Sequence, residues 1–253
     1  MAITAVVILL GTTVAQGWKN SVFAQAPPPH PLEGEFQDPL LPSINRPLSP
    51  LERLTIQQTI DELNTQANAQ LQVGNEEGAF ALWYRELRLR RELGRLEEVQ
   101  GLARVGGIAW EKSRTPDVRV MIKRLITIQQ QVEAEKTLDP VLLNALGQAY
   151  LQLRSIDEAL VIYQRILASA RQQNDILAQE ATLKIIGQLH LARFHYSEAA
   201  PVYEELVTLA QAQLNTFNEG LYLQQLAEIY QQALQPENSI RIKEQLVDYY
   251  LKT

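Results

Sequence analysis

From Leu51 to Thr253 the chain matches itself at an offset of 40 residues. The small residues Ala67, Gly107, Gly147, Gly187 and Ala227 fall in one column, and three residues beyond each stand Gln70, Trp110, Tyr150, His190 and Tyr230. Twelve beyond come Ala79, Arg119, Ala159, Ala199 and Ser239; sixteen beyond come Trp83, Lys123, Tyr163, Tyr203 and Lys243. Spacings of three and four put positions on one helix face. The columns therefore predict pairs of facing helices that interlock small against large. Helix starts keep the same register at Asn75, Thr115, Ser155, His195 and Gln235. Three of these are good N-cap residues, and Pro116 and Pro236 follow two of them, where a missing N–H is harmless. Ser155 with Glu158 reads as a capping box. Asp139-Pro140 and Asn215-Thr216 mark the starts of the alternate helices.

Leu143, Leu146-Gly147, Tyr150, the run Ile156-Asp157-Glu158-Ala159-Leu160 and Tyr163 resemble a tetratricopeptide repeat (TPR). Ile186-Gly187, Ser197-Glu198-Ala199-Ala200 and Tyr203 resemble a second; Leu226-Ala227, Tyr230 and Gly74 through Trp83 are weaker copies. The stretch around Gly107 departs most, since Arg119 and Lys123 replace the small and aromatic residues of its second helix. The fold expected is all-α: a TPR-like helical-hairpin solenoid of about five 40-residue repeats over residues 51–253. The common family repeat is roughly 34 residues, so longer second helices are expected here.

The N-terminal part is different. Ala2 to Ala15 is uncharged and apolar, and Ala24-Gln25-Ala26 is a small-x-small pattern followed by Pro27. Residues 1–26 read as a secretory signal cleaved after Ala26, or as an uncleaved anchor, since no Lys or Arg precedes the apolar stretch. Residues 27–50 hold eight of the twelve prolines and read as an extended spacer.

Composition narrows the function. A formal charge of −6 and a pI near 5.2 argue against nucleic acid as a partner. The absence of cysteine excludes disulfides, thiolate metal sites and a cysteine nucleophile. The one basic run, Arg85, Arg88, Arg90, Arg91 and Arg95, is interleaved with Glu86 and Glu92 and reads as salt bridges on a solvated face. His190 and His195, with Glu198 nearby, have structural readings in the aromatic column and at a helix start, so no metal or cofactor site is expected. No phosphate loop, nucleophile elbow or acid–histidine constellation points to catalysis, and the chain is read as a non-enzyme.

A solenoid of this type exposes a concave surface built from the first helices. By register, the partner-binding groove comprises Asn64, Asn68, Arg104, Asn144, Gln148, Lys184, Gln188, Gln224 and Glu228. Amides donate to and accept from a peptide backbone, while Lys and Arg meet carboxylates. Asn144 and Lys184 match parts of the family's carboxylate-holding set, but the full set is absent. The expectation is a scaffold or assembly factor that binds a partner protein or peptide, without nucleic acid and without a membrane span in the mature chain. The alternatives are an envelope enzyme of unrecognised type or its regulatory subunit, and a structural oligomeriser self-associating through its terminal repeats. The overall flavour resembles small exported TPR proteins of photosynthetic bacteria, which implies periplasm or thylakoid lumen.

The export reading has a direct check. Sequencing of the protein from its native host should find an amino terminus near Pro27, and a soluble cytoplasmic pool retaining Met1 would overturn it.

Overall fold

The computed structural model describes residues 29–34, 37–44, 46–135 and 139–252; residues 1–26, read as a signal, lie outside them. Among the described residues there are ten α-helices and no strand. They are α1 (Pro50–Gln72), α2 (Glu76–Leu93), α3 (Arg95–Glu111), α4 (Thr115–Glu135), α5 (Pro140–Gln152), α6 (Ile156–Gln172), α7 (Ile176–Ala192), α8 (Tyr196–Ala212), α9 (Thr216–Gln232) and α10 (Pro236–Lys252). Each packs on its successor in an all-α helical-hairpin solenoid, with one exception: α5 packs chiefly on α3 and only lightly on α4.

The turns explain the regularity. In the three-residue connections the middle residue has positive φ: Ser113 (57°), Arg154 (57°), Asn174 (54°), Phe194 (58°), Leu214 (55°) and Leu234 (57°), besides Gly74. The next residue's N–H then reaches back five positions, as in Ser155 to the Tyr150 carbonyl, Asp175 to Ala170, His195 to His190, Asn215 to Ala210 and Gln235 to Tyr230, all at 2.9 Å. This satisfies the last carbonyls of each helix by the left-handed cap geometry that usually calls for glycine. Only the first such turn supplies one, Gly74 at φ 80°. The following residue caps the next helix: the Asn75, Asp175 and Asn215 side chains accept from the N–H of Gly78, Ala178 and Asn218.

The consequence is a step of 20 residues. From α6 to α10 every helix has 17 residues. The expectation of longer second helices is therefore corrected there: the 40-residue period is two equal halves, because one turn type closes both ends of the hairpin.

Small-against-large packing holds where the columns are intact. A Cβ on Gly147 would lie 3.0 Å from the Tyr163 ring, and one on Gly187 would lie 2.7 Å from Tyr203. It shifts where the columns fail. Gly106, rather than Gly107, receives Leu153 from the end of α5, which is why α5 sits on α3. In the last hairpin Tyr249 closes on Gly220, while Lys243, the residue in the aromatic column, is exposed. Trp110, in the first aromatic column, is also exposed.

The packing and the turns give opposite expectations for two substitutions. Gly147→Leu must displace Tyr163 and should lower stability by about 1–3 kcal/mol. Leu234→Gly removes a left-handed non-glycine residue whose side chain is exposed and should raise the melting temperature, by at most about 1 kcal/mol in stability terms. Thermal melts that moved both variants in the same direction would contradict this account.

Candidate functional site

The nine predicted groove residues do not behave alike. Asn64 accepts from Trp83 Nε1 and from Asn68 Nδ2, both at 3.2 Å. Arg104 donates to both Glu86 oxygens at 2.5 and 2.7 Å and lies 5.8 Å from the centre of the Trp83 ring. Glu86 is fully buried and also accepts from Arg90 Nε at 2.8 Å, so Arg104 is one of two guanidiniums that compensate its charge away from water. Asn64 and Arg104 are thus engaged within the chain, while Asn68 stands exposed on α1. The other residues occupy equivalent exposed positions on three successive first helices: Asn144 and Gln148 on α5, Lys184 and Gln188 on α7, Gln224 and Glu228 on α9. Asn144 donates back to the Pro140 carbonyl at 2.8 Å.

The same exposed stripe continues toward the helix N-termini, and there it is apolar. One turn before the amides stand Val141, Ala181 and Leu221; two turns before stand Leu177 and Phe217. Val141, Leu177, Phe217 and Leu221 are all exposed. At spacings of three, four and seven they share a face with the amides. Each first helix therefore presents an apolar zone followed by an amide zone, and the zones line up across the three helices. The amide reading of the sequence overlooked the apolar half. The signal was available as the same register three and seven residues upstream.

The arginine run forms the expected intrachain pairs: Arg95 meets Glu135 on an exposed face at 2.6 Å, whereas Arg90 and Arg91 turn to buried acids. Glu86 takes Arg90 as well as Arg104, and Glu98 takes Arg91 (2.8 Å) and Arg124 (2.7 Å). These pairs tie α2, α3 and α4 together.

The proline-rich segment, read as a spacer, lies against the array wherever it is described. Leu32 is buried in the main core, and Leu40, Leu41 and Leu48 pack on a second core of Ile56, Ile60, Leu63 and Leu89. Asp38 pairs with Arg85 (2.7 Å) and Glu33 with Lys123 (2.6 Å). The tightest fastening is at Asp117. It accepts from Tyr84 Oη and from His30 Nε2, each at 2.6 Å, and from Arg114, which also reaches Glu77 at 2.5 Å. The Leu32 N–H donates to His30 Nδ1 at 3.2 Å, which leaves the proton on Nε2 for Asp117. Burial alone would raise the Asp117 carboxyl, but the bonds from Tyr84, His30 and Arg114 outweigh it and hold the carboxyl below its ordinary value. Lys123, which breaks the aromatic column, finds its role here as the partner of Glu33.

No group of three or more His, Cys, Asp or Glu placed to hold a metal occurs among the described residues. The His190 and His195 ring centroids are 6.4 Å apart, and burial lowers His190 below its ordinary value.

No protein-family model and no curated protein matches the chain. Among solved structures it is similar to BtubC (BKLC) from P. vanneervenii, at 14% identity and a TM-score of 0.46, covering 81% of this chain and 92% of that one. It is also similar to a Signal Transduction ATPase with Numerous Domains protein with a tetratricopeptide repeat sensor from Pyrococcus horikoshii. There the identity is 17% and the TM-score 0.45, over 79% of this chain and 31% of that one. The chain thus spans about a third of the second protein's length, and neither likeness bears on what it binds.

The strap over residues 29–34 gives a pH test. A carboxyl held below its ordinary value contributes stability above that value, and the contribution disappears as pH falls through the lowered folded value. Hydrogen exchange at the amides of Leu32, Glu33 and Gly34, corrected for intrinsic rates, should stay slow through neutral and mildly acidic pH. It should accelerate only below the ordinary Asp value of 3.8. In His30→Ala it should be fast throughout. Protection already lost in mildly acidic solution would overturn the assignment to Asp117.

Proposed function

We propose that the chain is an exported, non-catalytic scaffold of the TPR type that binds a partner polypeptide across the exposed face of α5, α7 and α9. One observation carries this reading: the apolar zone of Val141, Leu177, Phe217 and Leu221 borders the amide zone on successive helices and is left in water. Clustered large apolar side chains with a polar border mark interaction surfaces on soluble proteins. The apolar row suits the buried side chains of an amphipathic segment. The amides suit its backbone or polar side, since each can donate and accept at once. Lys184 adds a cation and Glu228 an acid, so the row carries no strong charge preference. Export to the periplasm or a thylakoid lumen follows from the Ala24-Gln25-Ala26 signal reading, and a scaffold that assists assembly of a larger complex fits both. An interlocked array with its polar networks turned inward supports binding rather than bond-making.

Three variants test the surface. Leu177→Ser with Phe217→Ser removes the apolar zone; Gln148→Ala, Lys184→Ala and Gln188→Ala together remove amides and the cation. Gln57→Ala with Glu62→Ala, on the exposed side of α1, is the control. In affinity capture from the native host with quantitative mass spectrometry, partners retained by the wild type and the control should fall at least about tenfold with the first variant. With the second they should fall several-fold. Capture unchanged in both, with native helicity, would move the binding surface elsewhere.

A further inference from the structure

The outer side of α10 continues the pattern of an inter-helix seam. Ile240, Val247 and Tyr250 stand 40 residues after Ala200, Val207 and Ala210 of α8, and 80 after Leu160, Leu167 and Ala170 of α6. The α8 and α6 residues, apart from the partly buried Leu160, are buried, and α8 and α6 each pack on the first helix that follows. Val207 is 7% exposed, whereas Val247 is 57% exposed, and Ile240 and Tyr250 are open to a similar degree. Leu251 adds a fourth exposed apolar side chain. Tyr249, by contrast, faces inward onto Gly220.

Ile240, Glu244, Val247 and Leu251 form one stripe at spacings of four, three and four. The opposite end of the stack matches it poorly: α1 exposes Leu51 and Leu54 only at its start, and from Gln57 onward its exposed positions are almost all polar, Gln57, Gln58, Asp61, Glu62, Thr65 and Gln66 among them. Head-to-tail stacking would set an apolar stripe against a polar face. The stripe matches itself. When two copies of α10 are placed antiparallel about a two-fold axis, Ile240 meets Leu251 of the other copy and Glu244 borders Val247. Arg241, which within its own chain also reaches Glu204 at 3.2 Å, and Asp248, seven residues apart on one flank, then approach each other twice with opposite charge.

We infer that the α10 face is a two-fold dimer interface, occupied by a second copy of this chain. It lies outside the α5–α9 face and is independent of the scaffold reading. A self-complementary patch of this kind closes after two copies instead of propagating. A 17-residue helix is about 25 Å long, so the buried area is small and the dissociation constant should be micromolar.

Sedimentation equilibrium of the full chain from about 1 to 200 µM should show a monomer–dimer equilibrium. Val247→Asp and Leu251→Asp place a charge in the stripe, and each should weaken it at least tenfold; the exposed positions leave the monomer's helicity unchanged. Because the chain has no cysteine, register can be read by disulfide trapping. Ile240→Cys with Leu251→Cys should give a covalent dimer under mild oxidation, since the two positions meet across the axis. Either single cysteine should give little, because it lies about 16 Å from its own copy along the pair. A monomer at every concentration, a dimer indifferent to both Asp variants, or single cysteines that trap as well as the pair would each overturn the proposal.

Discussion

A helix end that closes through one left-handed residue and a backbone bond reaching back five positions sets the geometry on which the rest of the array depends. No helix of this chain can bury its apolar stripe alone; it needs the next helix beside it, in a register that repeats. The turn supplies that register by fixing the step at 20 residues, so a small residue in one helix always meets the same kind of position in the next. Arg154, Asn174, Phe194, Leu214 and Leu234 adopt this backbone without being glycine. Each carries a local cost of roughly 1–2 kcal/mol, offset by the seams that the spacing makes possible. Where the spacing is interrupted, between α3 and α5, the packing partner changes as well.

Much of this was legible in the chain itself, for a physical reason. Gly147 with Tyr163 and Gly187 with Tyr203 signal contact because the relation is local and periodic, and the starts at Asn75, Asp139 and Asn215 follow from caps that act within three residues. Ser155 makes no cap bond and donates to the Glu158 side chain instead, and Thr115 lies inside α4. The exposed row on α5, α7 and α9 could be located by the same register. What was not legible depends on residues distant in sequence and outside the period. Asn64 looks like a solvent-facing amide until Trp83 of the next helix points its indole N–H at it, and Arg104 looks like a groove cation until Glu86 is found buried beneath it. The apolar residues Leu177 and Phe217 are periodic, yet apolar side chains in a helix are ordinarily read as core.

The proline-rich segment shows the same limit in another form. Its composition disfavours helix and sheet, and the structure contains irregular chain with turns at His30–Glu33 and Asp38–Leu41, but composition does not say whether such a chain lies free or fastened. That is decided by His30, Leu32, Glu33 and Asp38 meeting Asp117, the main core, Lys123 and Arg85. The two basic substitutions that spoil the second repeat have different fates: Lys123 holds the strap, while nothing in the structure accounts for Arg119.

The buried acids Glu86 and Glu98, each held by two arginines, bind α2, α3 and α4 together, and the strap crosses the same helices. Beyond α6 the apolar seams carry fewer such ties, a buried one being Glu180 of α7, which accepts from Asn218 and Tyr222 of α9. Repeat proteins open by separating neighbours, one interface at a time. Under tension or thermal fluctuation, therefore, this chain should behave as two mechanical elements in series. One is a stiff N-terminal block that gives way only when charged groups are separated in a dry interior. The other is a compliant C-terminal run of similar seams that can peel and reseal helix by helix, starting from α10. A ligand drawn onto α5, α7 and α9 would then settle on the part of the molecule best able to change its curvature to fit.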